Sequence, residues 1–231
     1  MTAHLPLMVF SDLDGTLIDH HTYDWSPAKP ALDALSAIGA AVVLASSKTA
    51  TEIDVLRREM SLERWPAIVE NGAGVLGANT APQVGDGPYI RLRDTLDGLP
   101  KGLRRLFVGF GDMTAQDVSS ATGLTHAGAV LAQQRAFSEP GIWQGTEHEQ
   151  EAFLTHLAEK GIVAQQGGRF LTLSFGATKA DQVNALRHEY APDLTIALGD
   201  APNDIKMLEA CDYGVVIANP CRAALPALRG E

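Results

Sequence analysis

Short, predominantly apolar runs most constrain what this chain can become: Leu7–Ser11, Ala41–Ala45, Ala67–Glu70, Leu194–Leu198 and Tyr213–Ile217. They do not alternate apolar with polar residues, so each reads as a strand buried on both faces. Helix signals lie between them. Ser26-Pro27 sets an N-cap and a first-turn proline ahead of a helix that runs to about Ile38 and stops at Gly39. Thr49-Ala50-Thr51-Glu52 is a capping box that opens a helix to about Met60. Lys179–Tyr190 and Asn203–Ala210 also read as helices. This strand–helix alternation predicts an α/β, Rossmann-like core whose parallel sheet is covered on both faces.

From about Gln83 to Ser174 the texture changes. Helices are expected at Lys101–Gly109, Thr114–Thr122 and Glu147–Glu159, and strands at Ala136–Glu139, Ile162–Gln166 and Phe170–Ser174. Glycine and proline punctuate both edges (Ala81-Pro82, Gly85-Asp86-Gly87-Pro88 and Gly176). The segment reads as an α+β insertion, with residues 1–82 and 176–231 forming the core and 83–175 a second domain.

Charge narrows the partners. Acidic residues number 28 against 18 basic, a formal charge of −10. No basic cluster exceeds Arg57-Arg58 or Arg104-Arg105, so a nucleic-acid partner is not expected. The longest apolar stretch, Ala37–Ala45, is too short to span a bilayer. The N-terminus lacks the basic start of a secretory signal. Cys211 and Cys221 make no disulfide framework, and a reducing cytoplasm is the expected location.

The chemistry concentrates after the strands. Asp12 and Asp14 sit at the C-terminal end of the first strand, where a parallel sheet forms its ligand crevice, and Gly15-Thr16 lets the chain turn. One carboxylate suits a nucleophile and the other an acid/base, and a metal ion would offset their repulsion. Alone, Asp-Leu-Asp-Gly also describes a polar turn. Asp200, Asn203 and Asp204 follow another apolar strand and offer hard oxygen donors suited to Mg²⁺, although acids at a helix start are also ordinary N-terminal residues. Ser46, Ser47 and Lys48 precede a helix and read either as an anion site or as a plain cap. Lys179 opens a helix and matters only if the fold turns it toward Asp12. His20 and His21 read as a solvated loop, since adjacent side chains point apart and Mg²⁺ prefers oxygen.

Taken together, Asp12-Leu13-Asp14-Gly15-Thr16, Ser46, Lys179 and Gly199-Asp200 with Asn203-Asp204 resemble, in order, the four motifs of the haloacid dehalogenase superfamily of Mg²⁺-dependent phosphatases. The resemblance implies a mechanism. Asp12 attacks phosphorus and Asp14 serves as acid and then base. Asp12, Asp14 (through its backbone carbonyl) and Asp200 hold Mg²⁺, with Asn203 and Asp204 in or beside that shell. Ser46 and Lys179 hold phosphoryl oxygens.

The insertion between the third strand and Lys179 resembles the large C2-type cap of the Cof-like, sugar-phosphatase branch. Phe10–Leu17, Ser46-Ser47-Lys48-Thr49, Glu70-Asn71-Gly72-Ala73, Ser138-Glu139-Pro140, Gly167-Gly168-Arg169-Phe170 and Gly199–Asp204 look most like the mannosyl-3-phosphoglycerate phosphatases. That likeness implies hydrolysis of mannosyl-3-phosphoglycerate to mannosylglycerate, an osmolyte. Arg169 would bind the glycerate carboxylate, Ser138 and Glu139 the hydroxyls, and Asn71-Gly72 would lie at the seam of core and cap. Two departures touch the substrate: Ala180-Asp181 follows Lys179, which adds a negative charge, and Gly176-Ala177-Thr178 precedes it. A phosphatase of glucosyl-3-phosphoglycerate or sucrose phosphate, or a phosphohexomutase, is the alternative. A homodimer is left open.

Overall fold

The computed structural model describes residues 4–19, 22–85, 87–219 and 225–226, so the expectations for His20, His21 and Cys221 lie outside the described residues. The chain divides into two compact units: Met1–Ser47, Ile53–Ala81 and Thr178–Glu231 form one, and Lys48–Glu52 with Pro82–Ala177 the other. These seams differ from the expected limits by one residue at the first and two at the second, and by the assignment of Lys48–Glu52.

The first unit is built on a six-stranded sheet. Its strands are β1 (Met8–Ser11), β2 (Ala41–Ala45), β3 (Ala67–Val69), β4 (Gly74–Leu76), β9 (Thr195–Gly199) and β10 (Tyr213–Val216), in the order β10-β9-β1-β2-β3-β4. All neighbours are parallel except β3 and β4. Every residue of β1, β2 and β3 is buried, as expected of apolar runs without alternation, whereas the sheet-edge strand β10, read the same way, is exposed at every described residue. Met8, Phe10, Ala41 and Val43 pack with Val183 and Leu186 of α8 (Lys179–Tyr190) and Met207 and Leu208 of α9 (Ile205–Glu209). Helices α1 (Lys29–Ala37) and α2 (Ala50–Glu59) follow β1 and β2. The predicted capping box is present: Glu52 Oε2 accepts from the Thr49 N–H at 2.8 Å, and Thr49 Oγ1 accepts from the Glu52 N–H at 3.1 Å.

The second unit carries an antiparallel sheet in the order β5-β6-β8-β7, from β5 (Phe107–Gly109), β6 (Glu139–Trp143), β7 (Val163–Gly167) and β8 (Phe170–Ser174). Its helices are α3 (Pro88–Asp97), α4 (Lys101–Arg104), α5 (Ala115–Thr122), α6 (His126–Ala132) and α7 (Glu147–Ala158). Phe153 stacks on Phe107 at 5.6 Å between ring centres and tilts against Trp143 at 4.9 Å. The unit is the expected α+β insertion, with two local corrections. The helix expected over Lys101–Gly109 ends after Arg104, because Phe107–Gly109 pairs with Gly141–Trp143 across a long sequence gap. The strand expected at Ala136–Glu139 is instead Glu139–Trp143. Pro140, which reads as a strand breaker, lies where β6 pairs with β8 alone, and β5 joins only from Gly141. Helices α3 and α6 and strand β4 have no counterpart among the sequence expectations. Among the described residues, no helix is long and apolar enough to cross a membrane.

Candidate active site

The parallel register sets the site. Asp12 is the first residue past β1, and its N–H donates to the Leu198 carbonyl of β9 at 2.9 Å. Asp200 is the first residue past β9. Adjacent parallel strands therefore deliver both carboxylates to one sheet edge. Gly15, at φ +89°, makes the approach possible: a Cβ there would stand 2.8 Å from Asp200 Oδ2 and 2.7 Å from Asn219 Nδ2.

Lys179 comes from the opening turn of α8, 167 residues beyond Asp12 in the chain. Its Nζ donates to Asp12 Oδ1 at 2.6 Å and to Asp204 Oδ1 at 2.7 Å, with the side chain only 3% exposed. Asp204 ends a 3-10 turn (Pro202–Asp204) and is fully buried. Its Oδ2 accepts from the Asp200 and Ala201 N–H groups at 3.3 and 3.1 Å. Asp200 in turn accepts from the Asn219 amide. Oxygens of Asp12, Asp200 and Asp204 lie within 4.8 Å of one another, all three residues buried.

Electrostatics gives the cluster direction. Burial pushes the Asp12 carboxyl up to about 6, against the pull of the Lys179 ammonium, with Asp204 and Asp14 adding to the rise. Burial works against the Lys179 ammonium too, but Asp12 and Asp204 outweigh it and hold its pKa above the ordinary lysine value. The proton of the pair thus belongs to Lys179 near neutrality. Among the described residues, the Lys179 ammonium bonds two of the three buried carboxylates, Asp12 and Asp204. Hard oxygen donors gathered this closely fit a small divalent cation such as Mg²⁺.

The other expected residues fall into separate places. Asp14, half-buried, follows two positions after Asp12 and bridges to Ile18. Ser46 is buried at the end of β2; its N–H donates to Ile68 and its carbonyl accepts from the Asn71 N–H at 2.9 Å. Ser47 is exposed and Lys48 half-buried. Asn203 is exposed and donates its amide to Asn71 Oδ1 at 3.3 Å. Gly72, at φ +93°, lies against Thr178 and Lys179, where a Cβ would stand 2.0 Å from the Thr178 carbonyl carbon. Asp181, which reads as a charge added beside Lys179, instead completes a capping box: its Oδ2 accepts from the Thr178 N–H at 2.9 Å.

In the second unit Arg169 is exposed on the turn between β7 and β8, its guanidinium 5.9 Å from the Phe170 ring centre. Ser138 and Glu139 are fully buried there. Ser138 Oγ accepts from Arg135 at 2.6 Å. Glu139 accepts from the Tyr89 hydroxyl at 2.6 Å, Arg93 at 2.9 Å and the Gly111 N–H at 2.8 Å. Both side chains are thus engaged within the second unit. Asn219 went unread in the sequence, although an Asn just past a parallel strand is the signal that could have found it.

The family model for haloacid dehalogenase-like hydrolases matches residues 9–84 and 138–227. Solved structures share the fold. A haloacid dehalogenase-like hydrolase from Bacteroides thetaiotaomicron superposes with a TM-score of 0.64 at 18% identity, over 92% of this chain and 88% of its own. BT1666 from the same organism, a phosphatase of the haloalkanoate (HAD) superfamily, gives 0.61 at 17% over 93% and 84%. The HAD subclass IIB sugar phosphatase BT4131 gives 0.57 at 15% over 91% and 93%. The matched residues include Asp12, Asp14, Ser46, Lys179, Asp200 and Asp204, and the chain belongs to the haloacid dehalogenase-like hydrolase family.

Proposed function

We propose that this protein is a Mg²⁺-dependent phosphomonoesterase acting on a sugar phosphate. The observation that carries the reading is the meeting of Asp12, Lys179, Asp200 and Asp204 in one buried cluster. Asp12 is the nucleophile: its carboxylate bonds to phosphorus while the ester oxygen–phosphorus bond breaks. Asp14 gives its proton to the leaving alkoxide. It then takes a proton from water as that water attacks the aspartyl-phosphate, so free Asp12 and inorganic phosphate result. Lys179 lowers the charge that opposes approach of an anionic ester to an anionic carboxylate. Ser46 binds a phosphoryl oxygen. Asp12, Asp200, Asp204 and the backbone carbonyl of Asp14 would hold Mg²⁺, which supplies positive charge for the transferring phosphoryl group.

For the substrate we propose a glycosyl phosphoglycerate, mannosyl-3-phosphoglycerate first. The support is the sequence likeness of the core and cap segments, together with Arg169, an exposed guanidinium suited to a second, carboxylate anion. Ser138 and Glu139 lend this reading nothing, and the sugar hydroxyls need other partners. The enzyme would work in the cytoplasm on a small soluble ester. The test is phosphate release with Mg²⁺ across glycosyl phosphoglycerates, sucrose phosphate, hexose phosphates and nucleotides. The glycosyl phosphoglycerates should rank first. Equal ranking with simple hexose phosphates ends the narrow assignment, and release from none of the esters ends the phosphatase reading.

A further inference from the structure

Three consecutive residues, Glu70, Asn71 and Gly72, hold φ values of +52°, +58° and +93°. The left-handed region is costly for a glutamate, and such strain persists only where the surroundings fix it. The surroundings here are the segments of the candidate site. The Asn71 N–H donates to the Ser46 carbonyl, and Asn71 Oδ1 accepts from the Asn203 amide. Gly72 abuts the Thr178–Lys179 peptide so closely that a Cβ would stand 2.1 Å from the Lys179 nitrogen. Gln182, one turn along α8 from Lys179, donates its side-chain amide to the Gly72 carbonyl at 2.9 Å, across 110 residues of sequence.

We propose that Gln182 is a positioning residue: by tying α8 to the left-handed turn, it fixes where Lys179 enters the carboxylate cluster. The inference rests on the phosphatase reading for its effect on turnover, but not for its effect on Lys179. The tie acts at the base of the lysine, since Gly72 packs on the peptide that starts the helix and Gln182 closes the same turn. Without it, α8 can shift along the turn, and Lys179 Nζ leaves the hydrogen-bonding distance it holds to both Asp12 and Asp204. Misplacements of this size lower turnover by factors on the order of 10 to 10² without contact with substrate.

Gly72→Ala is the obvious variant, but a side chain there meets backbone at 2.0 Å and a left-handed φ, so the protein is expected to misfold. Gln182→Glu and Gln182→Met keep length and lose the donor, whereas Gln182→Lys keeps a donor. Two readouts apply to the full chain. One is kcat and KM for phosphate release. The other is the ¹⁵Nζ resonance of Lys179 in the metal-free protein, assigned by its loss in Lys179→Met. Gln182→Glu and Gln182→Met should lower kcat about tenfold, move KM less than twofold and shift the Lys179 resonance, and Gln182→Lys should restore both. If either kcat or the resonance keeps its wild-type value in an active enzyme, or Gln182→Lys restores neither, the proposal is overturned. If the wild type releases phosphate from no ester while the resonance still moves with Gln182, the positioning role stands and the phosphatase reading falls.

Discussion

Each unit of this molecule buries charged side chains, and they use them differently. In the first, Asp12 and Asp204 share the Lys179 ammonium, and Asp200 lies beside them, bonded to the Asn219 amide. In the second, Glu139 faces the Tyr89 hydroxyl, Arg93 and a backbone N–H, while Asp112 takes Arg93 at 2.5 Å and Arg104 at 2.8 Å. Two carboxylates there meet two guanidinium groups. A set paired with cations holds segments in register, whereas three clustered carboxylates offer donors that could hold a metal ion. Burial alone therefore does not separate the two sets; the ratio of carboxylates to cations among the described residues does. Glu139 and Asp12 both have carboxyls pushed above the ordinary range by burial, yet the Asp12 side chain is 12% exposed and that of Glu139 fully buried.

The contrast breaks if the imbalanced cluster proves inert. Asp12→Asn keeps the shape and removes the nucleophile, so phosphate release should fall by about 10³-fold or more. Steady-state assays of phosphate release with Mg²⁺ check this, and residual turnover near wild type would remove Asp12 from the chemistry.

The matched set should answer in stability instead. Glu139→Ala strands three donors in a buried place, which should cost about 3 kcal/mol. Urea titration reads that loss, and the equivalent Asp200→Ala change should cost less, because it relieves repulsion among carboxylates.

Magnesium sharpens the distinction further. Bound at a concentration about a hundred times its Kd, it should add about 2.7 kcal/mol to stability, and Asp200→Asn should cancel the gain. Calorimetry with and without chelator measures it. Because Asp12 titrates at about 6, a proton competes with the cation below that pH. The stabilisation should therefore be full above pH 7 and fade as pH falls through 6.

The smallest effect lies with Asp112. Burial alone would raise its pKa, but hydrogen bonds from Arg104 and Arg93 outweigh burial and hold the carboxyl below the usual range. Its unfolded form takes a proton first, so its contribution is present above the ordinary carboxylate pKa and is lost as pH falls toward the folded value. Asp112→Asn should flatten the acid side of the stability curve by less than about 1 kcal/mol. Urea midpoints at pH 7 and pH 3 test this.

The core was legible because its signals are local and mutually consistent. The apolar runs of β1, β2 and β3 are two-sided strands, although that of β10 is exposed, and the carboxylates at the strand ends follow from strand direction. Thr49 with Glu52 announced a helix start, and the structure closes that capping box. In the inserted unit the deciding contacts are distant. Phe107–Gly109 extends because Gly141–Trp143 lies beside it, and nothing within ten residues says so. Glu139, read as a substrate ligand from its motif, bonds Tyr89 and Arg93, which arrive from α3, a helix the local pattern did not reveal.

The sequence by itself determined the α/β core, the inserted α+β unit and the residue types of the site, since periodicity, capping and charge are written along the chain. Only the tertiary structure decided that Lys179 spans Asp12 and Asp204, that Asn219 holds Asp200, and that Gln182 ties α8 to a left-handed turn. Those contacts join residues far apart in order, and their energies depend on distance and burial, which no local pattern encodes.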